Sequence, residues 1–315
     1  MKKNILICGA TGFIGRNLIE NLSKNKNYKI FAVYNKRNKY KFKNIKWIKG
    51  DLRNDSFSKK VTKNIDIIIQ AAATTTGSKD VVMQPFVHVT DNAVMNAYLF
   101  RNAYINKVKH VIFFSCTTMY KSSKKPIKEN NFNPLKDIEP KYFGVATTKV
   151  YNENMCDFFS RLGSTKYTAI RHSNIYGPHD KYDLERSHVF GATITKVMNA
   201  KKEVVVWGKG SEERDLLHID DLVNFIKLVI KKQKKKFELL NCGSGYSISI
   251  NNLVKKIIKA SNKKLKIKYD LTKPTIPTYL SVNCSQAKKK LGWKPRVKLD
   301  VGIKSTISWW KKNIK

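Results

Sequence analysis

Short runs of β-branched and aromatic residues at 4–8, 29–34, 46–49, 65–71, 108–115 and 167–172 alternate with longer helical stretches through the first 170 residues. Strands separated by helix-length crossovers predict an α/β fold: a doubly wound parallel sheet, covered on both faces, that receives ligands at the carboxyl ends of its strands. After about residue 172 the rhythm breaks. Gly177-Pro178, Gly208-Lys209-Gly210 and Gly243-Ser244-Gly245 punctuate the chain, and Lys273-Pro274 with Ile276-Pro277 mark a loop. The expected organisation is a first domain over 1–172, rejoined at about 216–242, with a smaller mixed lobe over 173–215 and 243–315.

At 315 residues the chain has ample material for a core without stapling devices. Cys8, Cys116, Cys156, Cys242 and Cys284 show neither Cys-x-x-Cys spacing nor a histidine at zinc-finger distance, so reduced thiols and no metal are expected. No apolar run approaches the ~20 residues that a membrane span requires, and the first residues enter a strand without a signal-peptide core. A cytoplasmic location is the default.

Lysine and arginine number 62 against 23 acids, a formal charge of +39. Such a charge first suggests a nucleic-acid binder. The excess lies at both ends of the chain, in runs such as 36–46 and 231–236 that are mostly lysine, without an interleaved aromatic platform or a helix-turn-helix pattern. A solvated lysine surface is the main reading; a polyanion or anionic-membrane partner is the lesser one. Segment 171–215 is nearly neutral yet holds three of the nine arginines, Arg171, Arg186 and Arg214, where a planar fork is more useful than diffuse charge.

Gly9-Ala10-Thr11-Gly12-Phe13-Ile14-Gly15 follows the first strand directly and opens an amphipathic stretch. Glycines there allow a tight turn and close backbone approach, so that a pyrophosphate sits on exposed N–H groups at a helix N-terminus. The second strand runs into Asn35-Lys36-Arg37, placing Arg37 where an acid would favour NAD. Its guanidinium suits the 2′-phosphate of NADP; NAD, with Arg37 as one more surface cation, is the alternative.

Gly50-Asp51-Leu52, Ala71-Ala72-Ala73, SNIYGPHD at 173–180, Ser187-His188-Val189, VVVWGKG at 204–210, RDLLHIDD at 214–221 and LGWKP at 291–295 follow in order. Together these motifs resemble the extended short-chain dehydrogenase/reductase family, the NAD(P)-dependent epimerases and dehydratases of nucleotide sugars, and within it the GDP-sugar epimerase/reductases. The resemblance implies that Gly9, Thr11, Gly12, Phe13, Ile14 and Gly15 cradle the dinucleotide, that Asp51 and Leu52 hold its adenine, and that Ala71, Ala72 and Ala73 line it. Lys149 would reach the nicotinamide ribose. Asn174, His179, Arg186, His188, Val189, Trp207 and Arg214 would face a nucleotide-diphosphate sugar, GDP-linked by the likeness. Also implied are 4-keto reduction with epimerisation, or 4-dehydrogenation, in surface polysaccharide biosynthesis, and a homodimer built on helices near 92–106 and 145–161.

The catalytic centre departs from that family. Its Ser or Thr, four residues before Tyr120, is Cys116 here, and its tyrosine, four residues before Lys149, is Val145. A phenol of pKa ~10 works near neutrality when an adjacent ammonium stabilises its anion, and valine offers neither proton nor charge. A nucleotide-sugar-binding or regulatory relative with reduced chemistry is therefore the second reading. Thr117 or Thr118 can supply the missing hydroxyl, and by the resemblance His188 stands where the GDP-sugar enzymes keep an acid. Tyr142 lies seven residues before Lys149, within about 20° of the same helix face but ~10.5 Å along the axis, so a bend at Gly144 would be needed to return it. Arg171 is open between phosphate binding and structure, Glu153 and Asp157 read as solvated or at an interface, His218 as a turn into a helix, and Trp309-Trp310 as core packing.

Overall fold

The computed structural model describes residues 2–75, 84–185, 187–273, 275 and 278–314. The chain begins with β1 (Lys3–Cys8), α1 (Phe13–Leu22), β2 (Tyr28–Tyr34), β3 (Ile45–Lys49), α2 (Asp55–Val61), β4 (Ile67–Gln70), α3 (Thr90–Ile105), β5 (His110–Cys116), α4 (Phe143–Leu162) and β6 (Lys166–His172). Then follow β7 (Asn174–Tyr176), α5 (Val189–Asn199), β8 (Glu203–Trp207), β9 (Glu213–Arg214), β10 (Leu216–His218), α6 (Ile219–Lys232) and β11 (Phe237–Cys242). The chain ends with β12 (Ile248–Ser249), α7 (Ile250–Ser261), β13 (Lys266–Asp270), α8 (Ser285–Leu291) and α9 (Leu299–Asn313).

Seven strands form one parallel sheet in the order β11-β6-β5-β4-β1-β2-β3. Winding runs outward from β1 through β2 to β3, then restarts on the other side of β1 with β4. In sheets wound this way ligands bind at that reversal, above the carboxyl ends of the strands. Side-chain alternation sorts the core: Ile5, Ile7, Ile67 and Ile69 pack against α1 and α6, whereas Leu6, Cys8 and Ile68 pack against α3 and α4. The central strands β1 and β4 are therefore apolar on both faces, as a covered parallel sheet requires. No helix among the described residues is long and apolar enough to cross a membrane.

The six runs correspond to β1 to β6. The seventh strand, β11, is not among them because it follows a lysine run and carries Glu238, which a pattern of apolar residues discounts; in the fold Glu238 is buried and paired with Lys290. A separate core of Tyr176, Phe190, Ile194, Val204, Leu253 and Ile303 builds the second lobe. Acids of the 214–221 motif tie its loops to the sheet. Asp215 accepts N–H bonds from Ser244 (2.7 Å), Gly245 (3.2 Å) and Val282 (3.2 Å), and Asp221 accepts from Arg296 (2.9 Å) and Val297 (3.0 Å). His218 caps the N-terminus of α6, and Trp310 is buried in the lobe core.

Candidate active site

Gly9 turns the chain out of β1 with φ +69°, and a Cβ there would stand 2.6 Å from the Ala71 carbonyl oxygen. A Cβ on Gly15 would stand 2.2 Å from the Gly9 oxygen, so β1, the β4 exit and the first turn of α1 meet where no side chain fits. Gly12 begins α1 without a side-chain cap, and its first turn has no acid. The Gly12 N–H is bonded to the Gly9 carbonyl at 2.9 Å, and the N–H groups of Phe13 and Ile14 that follow have no acceptor within the helix, an arrangement that fits a dinucleotide's diphosphate. Ala71 to Ala73 run along this turn, held by side-chain amides that belong to none of the sequence motifs. Gln70 accepts from Ala72 N (3.2 Å) and donates to Asn96 (2.7 Å), while Asn92 accepts from Thr74 N (2.9 Å).

At the next strand end, Asp51 is held well below the usual carboxylate range, at about 2, chiefly by hydrogen bonds from Arg53. Arg53 also reaches Asp91 at 2.7 Å, and Asp51, Arg53, Asn54, Asp91 and Val94 line a groove of about 500 Å³. Leu52 is buried beneath. Arg37 is exposed in the loop after β2. Tyr40 fastens that loop, its ring 5.0 Å from Trp47 and 4.4 Å below the Arg16 guanidinium.

β5 and β6 end together, with Cys116 opposite His172 in the parallel register. The Cys116 thiol is 2.7 Å from the Thr118 hydroxyl, and Thr117 is buried. Lys149 donates to the Phe114 carbonyl at 2.8 Å and lies 4.9 Å from the Phe113 ring centre. Burial lowers its pKa, against the opposing pull of Cys116 and Glu153. His172, a residue without a motif of its own at the end of β6, donates Nδ1–H to the Ser173 carbonyl at 2.8 Å. Burial, then the nearby charges of Lys149 and His188, brings its pKa to about 4 despite that bond. The ring is therefore neutral near pH 7 and holds its lone pair on Nε2. His188 precedes α5, and its pKa is lowered by burial, then by Lys181 and His88. Lys149, His172 and His188 each retain access to solvent while crowded by protein, as groups on a cleft wall are.

The turn ahead of the helix lies before Gly144, not at it. α4 starts at Phe143, and a single 3₁₀ turn over Pro140–Tyr142 sets its entry, because proline fixes the first dihedral of that turn. Burial raises the Tyr142 pKa, Arg214 lowers it and Cys116 raises it. Val145 occupies the first turn of α4, part-buried.

On the lobe side, Arg214 lies in β9 opposite Ile248 and donates to Thr278 Oγ1 at 2.6 Å and to the Glu213 carbonyl at 2.9 Å. Burial lowers its pKa, and Tyr142 and Glu212 oppose the shift. Asn174 opens β7, Val189 opens α5, and Trp207 ends β8 with the Lys196 ammonium 4.9 Å from its ring centre. His179 instead faces the seam between the lobes, 3.3 Å from Glu20 of α1 and 4.9 Å between ring centres from Trp309. Arg186 lies outside the described residues. Glu153 is not solvated: it is 5% exposed, paired with buried Arg171 at 2.7 Å and bonded by Ser115. Arg171 also donates to Tyr120 and the Glu129 carbonyl, so it supports the floor of the cleft from beneath.

A folded-state pKa near 4 for His172, below the ~6.5 of an unfolded histidine, sets the sign of a pH effect. Between those values the unfolded chain binds the proton and the folded one refuses it. Stability should therefore fall as pH drops from about 6.5 to 4, and more gently in His172→Asn. Urea midpoints at pH 7 and 4.5 read this; identical acid losses in both proteins would refute it.

Residues 5–243 match the model of the NAD dependent epimerase/dehydratase family. The chain is 30% identical to the putative GDP-L-fucose synthase 2 of Arabidopsis thaliana over 78% of this chain and 76% of that protein. With the GDP-L-colitose synthase of Yersinia pseudotuberculosis it shares 26% identity over 97% of each. The solved UDP-glucose 4-epimerase of Thermotoga maritima superposes with a TM-score of 0.88 at 23% identity, covering 99% of this chain and all of that one, which is a likeness of fold.

Proposed function

The chain belongs to the NAD dependent epimerase/dehydratase family, and from that premise we propose that it binds NADP(H) and a GDP-linked sugar and acts at the sugar's C4. In this reading it reduces or epimerises a 4-keto sugar in the cytoplasm, toward surface polysaccharide. The observation that carries it is the meeting of Cys116 and His172 at the paired ends of β5 and β6, with Lys149 bonded to the Phe114 carbonyl of β5, at the same edge of the sheet as the uncapped glycine turn after β1.

Gly9, Gly12 and Gly15 would hold the diphosphate of the dinucleotide, Asp51 and Leu52 its adenine, Ala71 to Ala73 its flank and Lys149 its nicotinamide ribose. The exposed guanidinium of Arg37 supports NADP over NAD. The nicotinamide supplies or accepts the hydride. Arg214, with Asn174, Val189 and Trp207, would grip the nucleoside diphosphate.

Proton handling falls to the side chains that surround the missing phenol. His172 keeps a fixed tautomer, with Nε2 as an acceptor from a sugar hydroxyl; Tyr142 and the paired Cys116 and Thr118 can return a proton to the oxygen. Incubation with GDP-4-keto-6-deoxymannose and NADPH should consume the coenzyme. His172→Gln should lower kcat by about 10²-fold or more with little change in NADPH affinity. Absence of any NADPH consumption by the intact protein, with tight GDP-sugar binding, would favour a binding or regulatory relative instead.

The proposed homodimer uses α3 and α4, which pack side by side. Tyr151, Phe158 and Leu162 repeat along one exposed stripe of α4, and Ile105 is exposed at the end of α3. Phe158→Glu should convert a dimer into monomers in sedimentation velocity; an unchanged mass would exclude this face.

A further inference from the structure

All seven parallel strands begin at the edge of the sheet opposite the cleft. Backbone bonds join six of these starts into one row: Lys3 N to Asn27 O (2.8 Å), Asp66 N to Asn4 O (2.9 Å), Lys109 N to Asp66 O (3.0 Å), Lys166 N to Lys109 O (3.0 Å) and Tyr167 N to Lys236 O (2.8 Å). At one strand spacing per step, the row extends for about 24 Å.

Segments 2–3, 24–29, 63–66, 107–109, 164–166 and 231–236, which lead into those strands, hold fourteen lysines and a single acid, Asp66. Over the whole chain the ratio is 62 bases to 23 acids, so this edge is far more one-sided than the chain's general lysine excess. Asp66 is already engaged by Lys109 at 2.8 Å. Thirteen of the fourteen lysines are exposed, and the part-buried Lys166 has its pKa lowered by burial and by the charge of Lys3.

We propose that this lysine edge docks on an anionic lipid bilayer. These segments contain no arginine, and their one aromatic residue, Tyr28, is half-buried, so they lack the planar forks and stacking surfaces that nucleic-acid strands use. Ammonium groups spread along a broad edge match the diffuse negative charge of lipid headgroups, where each contributes about fivefold to binding. Docking by this edge turns the cleft, at the opposite ends of the same strands, toward solution.

Co-sedimentation with vesicles of about one-third phosphatidylglycerol in phosphatidylcholine tests this, since the anionic fraction sets the surface potential. The intact protein should bind these vesicles, ignore pure phosphatidylcholine, and lose at least about tenfold in affinity between roughly 0.1 and 0.5 M salt. Lys24→Glu, Lys26→Glu, Lys234→Glu and Lys235→Glu together should remove binding, at a loss of about 10²-fold or more. The four reversals Lys201→Glu, Lys202→Glu, Lys255→Glu and Lys268→Glu, on exposed positions of the other lobe, change net charge equally and should leave affinity within about threefold. Equal losses in both quadruple variants would overturn the proposal, because net charge alone would then explain binding. So would no binding to anionic vesicles, or a single-stranded RNA that binds tighter than the vesicles at the same salt. Circular dichroism of each variant separates lost docking from lost fold.

Discussion

Gly15→Val should abolish dinucleotide binding, with an affinity loss of at least about 10²-fold, equivalent to roughly 2.7 kcal/mol. The first side-chain atom would already stand 2.2 Å from the Gly9 carbonyl oxygen and 3.0 Å from Ala10 Cα. Both are backbone atoms at the exit of β1, so no rotamer change relieves the contact and the first turn of α1 must move off the strand. That movement scatters the N–H groups that a diphosphate needs converged. Gly12→Ala offers a graded comparison, because its Cβ would lie 3.2 Å from the same oxygen and a small shift accommodates it. Titration of NADPH fluorescence should rank the intact protein first, Gly12→Ala next and Gly15→Val last. Unaltered affinity in Gly15→Val would mean that the turn does not hold the coenzyme.

Arg171→Met should cost about 3–5 kcal/mol of stability, the typical effect of removing one partner of a buried ion pair. Arg171 is 4% exposed and Glu153 5%. Without the guanidinium, Glu153 keeps the Ser115 hydroxyl as its one side-chain partner among the described residues, and Tyr120 and the Glu129 carbonyl lose a donor. The ring faces of Phe132 and Tyr120, 5.0 and 5.2 Å from the guanidinium, lose their cation as well. Because β5, β6 and α4 meet at this pair, the damage should spread to Cys116, Lys149 and His172 above it. Replacing both partners, with Glu153→Leu added, should restore much of the loss, since neither charge is then buried alone. Urea unfolding of the single and double variants decides the matter; a single variant within about 1 kcal/mol of the intact protein would be inconsistent with a buried pair.

The sheet was legible because its evidence is local. Apolar runs, helix-length spacings and a glycine turn next to β1 are properties of adjacent residues, and six of the seven strands follow from them. What escaped depends on partners distant in sequence. Glu153 carries the same side chain whether it faces water or Arg171, and only the approach of β6 to α4 decides which. His172 gives no signal of its own beside Ser173; it becomes a cleft residue because the parallel register sets it against Cys116. His179 belongs to a family-like motif, yet its positive φ and the proximity of Glu20 turn it toward the lobe seam. The 3₁₀ turn at Pro140 likewise places Tyr142 through local geometry that helical periodicity does not contain. Asp215 and Asp221, in the 214–221 motif, serve as a pair of backbone clamps whose partners are likewise distant in sequence.

Calorimetry with NADPH and GDP-mannose, on the intact protein and on Arg214→Met, tests most directly whether one cleft holds both phosphorylated ligands. The intact protein should release or absorb heat with each, and the variant should bind NADPH normally while losing about 10- to 100-fold in GDP-sugar affinity, the usual cost of a charge-assisted bond. Heat from neither ligand, or equal GDP-sugar affinity in the two proteins, would contradict the account.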